Sequence, residues 1–251
     1  MDHNYNFVSF RQKNMGNINF LIIPGLGCNS KDFETVIPSH YGAIFVDFKD
    51  YQQSGTILSG SFNDISREIV SYLNSLPLST KIIFVSHSMG SIIAAMVSEE
   101  YSAAGWINME GNMVEEDCFF SRRVIGYSLS DFILSGISQL LNLMRRAQAI
   151  NDSTREYIKS LERVNPYALW HHAKETVNFT VNGFAKRRFM EYLSPRRYIV
   201  GEYTKQNSAV KEMLNIRNMV LTIPGAGHFI MKDNPRETKL CLEEFIKNTL
   251  A

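Results

Sequence analysis

Ser88 lies in Lys81-Ile-Ile-Phe-Val-Ser-His-Ser-Met-Gly90, an apolar run that gives way to small and polar residues before the helical pattern of 91–101 begins. A serine at the apex of a strand-to-helix turn projects its hydroxyl above the sheet, and small residues on either side let strand and helix approach. Ser86 and Gly90 meet that need. Free N–H groups and the dipole at the start of the helix favour negative charge developing beside Ser88. The chemistry indicated is attack by an activated hydroxyl, which requires a base, a group behind the base and donors for an oxyanion. Ser-x-Ser-x-Gly by itself also suits an ordinary capped turn, so the partners decide.

The chain has six histidines. His3 is in the N-terminal tail, His40 follows Pro38-Ser39, His171 and His172 fall in a helical interval, and His87 sits inside the turn, where its side chain is expected to pack away from the hydroxyl. Only His228 stands in a glycine-rich loop, Pro224-Gly-Ala-Gly-His-Phe229, between a late apolar run and the last helical stretch. From there a base can reach a nucleophile above the sheet. A third segment, Ile22-Ile-Pro-Gly-Leu-Gly-Cys-Asn-Ser30, follows an early apolar run, and its glycines give the backbone unusual angles.

With these three segments in this order, the chain resembles the α/β-hydrolase family over nearly its whole length. The family's elbow is Gly-x-Ser-x-Gly, here with Ser86 for the first glycine. Gly-x-Gly-His followed by Phe-Ile-Met and Asn-Pro matches its histidine loop, and Pro24-Gly25-Leu26 is similar to its His-Gly-x loop. The resemblance implies Ser88 as nucleophile, His228 as base, and an oxyanion hole from the backbone N–H groups of Leu26 and Met89.

A carboxylate must hold the imidazole tautomer and stabilise the imidazolium. In most relatives an Asp follows the glycine that ends a late strand, but here Tyr198-Ile-Val-Gly-Glu-Tyr-Thr204 puts Thr204 in that place. Two carboxylates remain. Glu202 follows Gly201 directly, a position where relatives commonly carry a Glu beside a separate catalytic Asp. Glu110 ends the apolar run 105–109, and some branches, including haloalkane dehalogenases with Met-Glu at this strand end, take their acid there. Chain order and strand-end position favour Glu110, with Glu202 the alternative.

The elements that must position these residues are short apolar runs alternating with helical stretches, as in a parallel sheet with crossover helices. Strands are expected at 17–23, 43–48, 81–85, 105–109, 198–200 and 219–223. A first run, 6–10, precedes them with too short a connection for a crossover and should pair antiparallel. Helices are expected at 61–76, 91–101 and 235–250, the last capped by Asn234 with Pro235 at its first position. The interval between Met109 and Tyr198 exceeds one crossover and reads as a helical insertion, where Ser130 should cap one helix and Asn165-Pro166 should open another. The expected organisation is an α/β-hydrolase core from 1–110 and 196–251, a mostly parallel sheet flanked by helices, with a helical cap at 111–195.

Composition narrows the function. The 251 residues carry Lys+Arg 26 against Asp+Glu 25, a formal net charge of +1, so no global field exists to hold nucleic acid or an anionic bilayer. No apolar stretch approaches the roughly 18 residues of a membrane span, and the N-terminus lacks a secretory pattern. Three widely spaced cysteines suggest neither a disulfide framework nor a zinc site, and a cytoplasmic location is expected. No phosphate loop or dinucleotide fingerprint is present, and no cofactor is implied. A serine nucleophile disfavours the dehalogenase reaction. The expected activity is hydrolysis of an ester or thioester of a small apolar or aromatic acyl substrate beneath a movable cap, through an acyl-enzyme. Amide cleavage or acyl transfer would use the same apparatus, and a receptor-like binding module with little turnover is the alternative from another class. Nothing in the sequence fixes the oligomeric state.

Overall fold

The computed structural model describes residues 6–51, 59–146, 151–205 and 208–249, so His3 and the expected final helical residue Leu250 lie outside the described residues. A seven-stranded sheet runs in the order β1-β3-β2-β4-β5-β6-β7. The strands are β1 (Val8–Lys13), β2 (Ile18–Ile23), β3 (Gly42–Phe48), β4 (Lys81–His87), β5 (Gly105–Met109), β6 (Arg196–Gly201) and β7 (Val220–Ile223). All neighbours are parallel except β1, which pairs antiparallel with β3 from Val8↔Phe48 to Lys13↔Ala43. The short connection from β1 to β2 does not make them partners. β2 is flanked by β3 and β4 and almost wholly buried, so the half-exposed β1 takes the edge beyond β3.

Central strands are apolar on both faces because helices cover both sides of a parallel sheet. Along β2 the alternation is direct: Leu21 and Ile23 join one core cluster, Phe20 and Ile22 the other. On the first side lie α1 (Phe62–Asn74) and α2 (Gly90–Glu100). A capping box starts α1, with the Ser61 hydroxyl accepting from the Asp64 N–H and the Asp64 carboxylate accepting from the Ser61 N–H. On the other side lies α11 (Pro235–Thr249), preceded by the short α10 (Ile230–Asp233). Asn234 caps α11 through the Glu237 N–H.

Between β5 and β6 run α3 (Phe119–Ile125), α4 (Leu129–Asp131), α5 (Ile137–Arg146), α6 (Asp152–Leu161), α7 (Pro166–Val181) and α8 (Phe184–Glu191). Asn165 caps α7 by accepting from the Tyr167 N–H, with Pro166 at its first position. Ser130 is not a cap. The Ser128 side chain accepts from the Asp131 N–H and starts the helix one residue after itself, and the chain passes through a π-helical segment, Phe132–Gly136, into α5. Gly136 suits the bulge because a Cβ there would come within 2.9 Å of the Tyr127 ring. The last helix of the interval belongs to the flank of the sheet: α8 packs on α2, and its Phe189 meets the Trp106 ring edge-on at 5.1 Å. Short α9 (Ser208–Met213) follows β6. Among the described residues no single helix is long and apolar enough to cross a membrane.

Candidate active site

At the end of β4 the chain turns through Ser88 with φ at +52°, the left-handed region that is costly for a residue with a Cβ. Three backbone hydrogen bonds over-determine the turn. Ser88 N–H donates to Met109 O at 3.0 Å, and Ser88 O accepts from Ser91 N–H at 3.0 Å and Asn112 N–H at 3.2 Å. Glycine is required at position 90, since a Cβ would lie 2.3 Å from the Ile23 carbonyl oxygen. Ser86 does more than keep the turn small: its buried hydroxyl accepts from the Trp106 indole N–H at 2.9 Å, tying the elbow strand to β5. Met89 opens α2 without a side-chain cap, and the Ser91 and Ile92 N–H groups close back on the Ser88 and Met89 carbonyl oxygens, each at 3.0 Å.

The loop after β2 lies against this turn. A Cβ on Gly25 would come within 2.9 Å of both the Ser88 Cβ and His87 Nδ1, so the absence of a side chain there permits the approach. The Leu26 N–H bonds to no described residue. Cys28, at the end of the loop, is buried, and desolvation pushes its thiol up to about 12, which keeps it protonated and unreactive.

His228 follows β7 in a loop whose backbone is anchored on both sides. Gly227 N–H donates to Asp233 Oδ2 at 2.9 Å, and His228 O accepts from His87 Nε2 at 2.9 Å. A carbonyl only accepts, so His87 carries its proton on Nε2. Burial beside His228 pulls the His87 pKa down to about 3, and the His87 ring lies against the histidine loop, its centroid 4.9 Å from that of His228.

The structure brings Glu110, not Glu202, to His228. Glu110 has φ at +50° and is 7% exposed. Its Oε1 accepts from Gly201 N–H and Thr204 Oγ1, each at 2.5 Å, leaving Oε2 facing His228 Nδ1 at 3.5 Å. Glu202 instead accepts from Gly225 N–H at 2.9 Å. Thr204, at the position where the resemblance implies an acid, is itself a donor to Glu110. With Nδ1 turned to the carboxylate, Nε2 is the ring nitrogen left free of it.

Ser88 and His228 line one cavity of about 350 Å³, walled by Leu26, Phe119, Phe120, Met144, Tyr157 and Phe229. Two further carboxylates, Asp117 and Asp233, line it, and no described Lys or Arg does. Asp117 is raised from its ordinary value by burial. The Ser88 hydroxyl donates to Asn112 Oδ1 at 3.2 Å. The Asn112 amide donates to Asp117 O at 3.0 Å, which fixes its oxygen toward the serine. Sequence reading missed Asn112, although its place immediately after Glu110-Gly111 at a strand end is the signal that could have found it.

The whole chain has close structural counterparts of low sequence identity. MenH from S. aureus superposes with a TM-score of 0.75 at 16% identity, covering 96% of this chain and 98% of that one. A thermophilic esterase from Thermogutta terrifontis gives 0.74 at 15% identity, covering 96% and 93%. A hydrolase from Oleispira antarctica gives 0.74 at 16% identity, covering 96% and 94%. No curated protein matches. The model of the alpha/beta hydrolase family matches residues 20–239, and with the sheet and elbow described above the chain belongs to that family.

Proposed function

We propose that this protein is a serine hydrolase that cleaves esters or thioesters of small, uncharged acyl groups through an acyl-enzyme. The single observation that carries the reading is the line of groups at the ends of β4, β5 and β7. Ser88 is held at positive φ, His228 lines the same cavity, and Glu110 Oε2 faces His228 Nδ1 at 3.5 Å. In the proposed reaction His228 Nε2 takes the Ser88 proton as Oγ attacks the carbonyl carbon. The oxyanion so formed is met by the N–H groups of Leu26 and Met89, at the loop and helix start that flank Ser88. Glu110 stabilises the imidazolium. Collapse breaks the bond to the leaving group, which takes the proton from Nε2; water then repeats the sequence on the acyl-enzyme and frees the acid and Ser88.

The cavity supports the substrate class. At about 350 Å³ with apolar walls it suits a small acyl group, and its carboxylate-bearing lining without a described cation opposes a second negative charge on the substrate. The test is a series of p-nitrophenyl esters of increasing acyl length, each with Ser88→Ala as control. Turnover should be highest for short neutral chains and lost in the variant; equal rates for the wild type and Ser88→Ala would sink the reading. The segment over the cavity, within 111–195, acts in this reading as the cap that shapes acyl selection.

A further inference from the structure

The loop that supplies the Leu26 N–H is held by the inserted helices as well as by the sheet. The Tyr157 hydroxyl, on α6, donates to the Leu26 carbonyl oxygen at 2.8 Å, and Ser160, one turn on, donates to the Gly27 carbonyl oxygen at 2.7 Å. The N–H of the same Leu26–Gly27 peptide donates to the Tyr51 hydroxyl at 3.4 Å. Tyr51 is itself fixed, its hydroxyl lying 3.0 Å from Nδ1 of the fully buried His172 on α7. The peptide that follows Leu26 is thus gripped at both its oxygen and its N–H by groups that the sheet does not provide. The Cys28 N–H closes the turn on Gly25 O at 3.1 Å.

We propose that α6 is a working part of the oxyanion hole, with Tyr157 and Ser160 as positioning residues that aim the Leu26 N–H. Gly27 has φ at +67°, and glycines on both sides of Leu26 leave the loop free to adopt other backbone angles. The Cys28 N–H holds the peptide that carries the Leu26 N–H through the Gly25 oxygen, and the Tyr157 and Ser160 hydroxyls hold the two peptides that follow it, so the backbone angles at Leu26 are set from both sides. Preorganised donors stabilise an oxyanion because they need no reorientation during reaction, so the clasp acts on the transition state and not on substrate affinity. Tyr157 also packs against Phe229, the residue after His228, with the rings tilted at 43° and their centroids 4.8 Å apart, so one cap side chain touches the loops on both sides of the nucleophile. A cap fastened in this way stays seated over the elbow during turnover, and a rigid-body lifting of α6 would disassemble the hole. This inference rests on the proposed serine chemistry.

Tyr157→Phe keeps the ring and removes only the donor to Leu26 O. With p-nitrophenyl butyrate it should lower kcat roughly 10- to 100-fold and leave KM within about twofold, and the inhibition constant of a trifluoromethyl ketone transition-state mimic should rise by the same factor as kcat falls. Ser160→Ala, which touches a more exposed contact, should produce a smaller change of the same kind and serves if Tyr157→Phe does not fold. Unchanged kcat and inhibitor affinity in a folded variant overturn the clasp, as does a rise in KM alone, which would make Tyr157 an ordinary wall residue. Amide hydrogen exchange of the peptide 24–28 should rise in both variants whether or not turnover is measurable. A protein without esterase activity but with that exchange change would therefore lose the reaction and keep the clasp, and unchanged exchange would remove the clasp itself.

Discussion

Glu110 and Ser88 both sit at positive φ on adjacent strand ends, a costly backbone state that persists only where surrounding contacts impose it. Glu110 spends one carboxylate oxygen on Gly201 N–H and Thr204 and keeps the other for His228. Glu110→Gln should therefore lower kcat by roughly 10²- to 10⁴-fold with the fold intact, because an amide cannot stabilise imidazolium and favours the wrong tautomer. Glu202→Gln, which changes only a bond to the Gly225 N–H, should stay within a few-fold of wild type; steady-state kinetics on the pair decides the assignment. His87 offers a second measurement at this scale. Its pKa in the folded protein is lowered to about 3 from an ordinary 6.5, so the unfolded chain takes up that proton first as pH falls. The stability from neutral His87 is complete above about pH 6.5 and is lost progressively down to about pH 3, at up to about 1.4 kcal/mol per pH unit for one proton. His87→Gln should flatten this part of the acid limb in denaturant titrations; an unchanged slope would mean that His87 is not held neutral. How much of the site was legible also shows here. Ser88 and His228 stand in loops whose glycines and apolar flanks announce a strand-to-helix turn. Sequence alone does not separate Glu110 from Glu202, because the choice depends on which way a side chain leaves the strand end, a property of φ at Glu110 that no local pattern encodes.

At the scale of elements, the alternation of apolar runs and helical stretches located each strand of the sheet because buried parallel strands carry unbroken apolar sequence. The pairing of β1 with β3 was not readable, since a short connection limits the direction of pairing but not the partner. The misplaced cap at Ser130 has a similar cause: Ser128 and Ser130 both precede an apolar helical face, and the π-helical segment that follows shifts the register by which that face was judged. Gly90 tests the contact between α2 and β2. Gly90→Ala would force a Cβ to within 2.3 Å of Ile23 O, and backbone displacement of this kind should cost about 1–3 kcal/mol. The same shift moves Met89 and its N–H, so activity should fall further than the stability loss alone explains. Thermal unfolding and kcat measured together check both parts; a stable, active Gly90→Ala would mean that α2 has room the contact denies.

On the scale of the whole molecule, the sheet sets the strand ends side by side, and the segment between β5 and β6 closes the space above them. That space carries Asp117 and Asp233 and no described cation, a lining that in the proposed function opposes a negative charge on the substrate. Two like charges about 4 Å apart at an effective dielectric near 20 repel by about 4 kcal/mol, and the repulsion falls inversely with distance. The kcat/KM for p-nitrophenyl butyrate should therefore exceed that for mono-p-nitrophenyl succinate, similar in size but anionic, by roughly tenfold or more. Parity between the two esters would remove charge as a selecting feature. Reaction with a fluorophosphonate followed by peptide mass mapping shows whether Ser88 is an activated nucleophile. The native protein should take one label per chain, on Ser88; Ser88→Ala should take none, and His228→Ala should label far more slowly. A native protein that takes no label, or takes it on another residue, would contradict that role for Ser88.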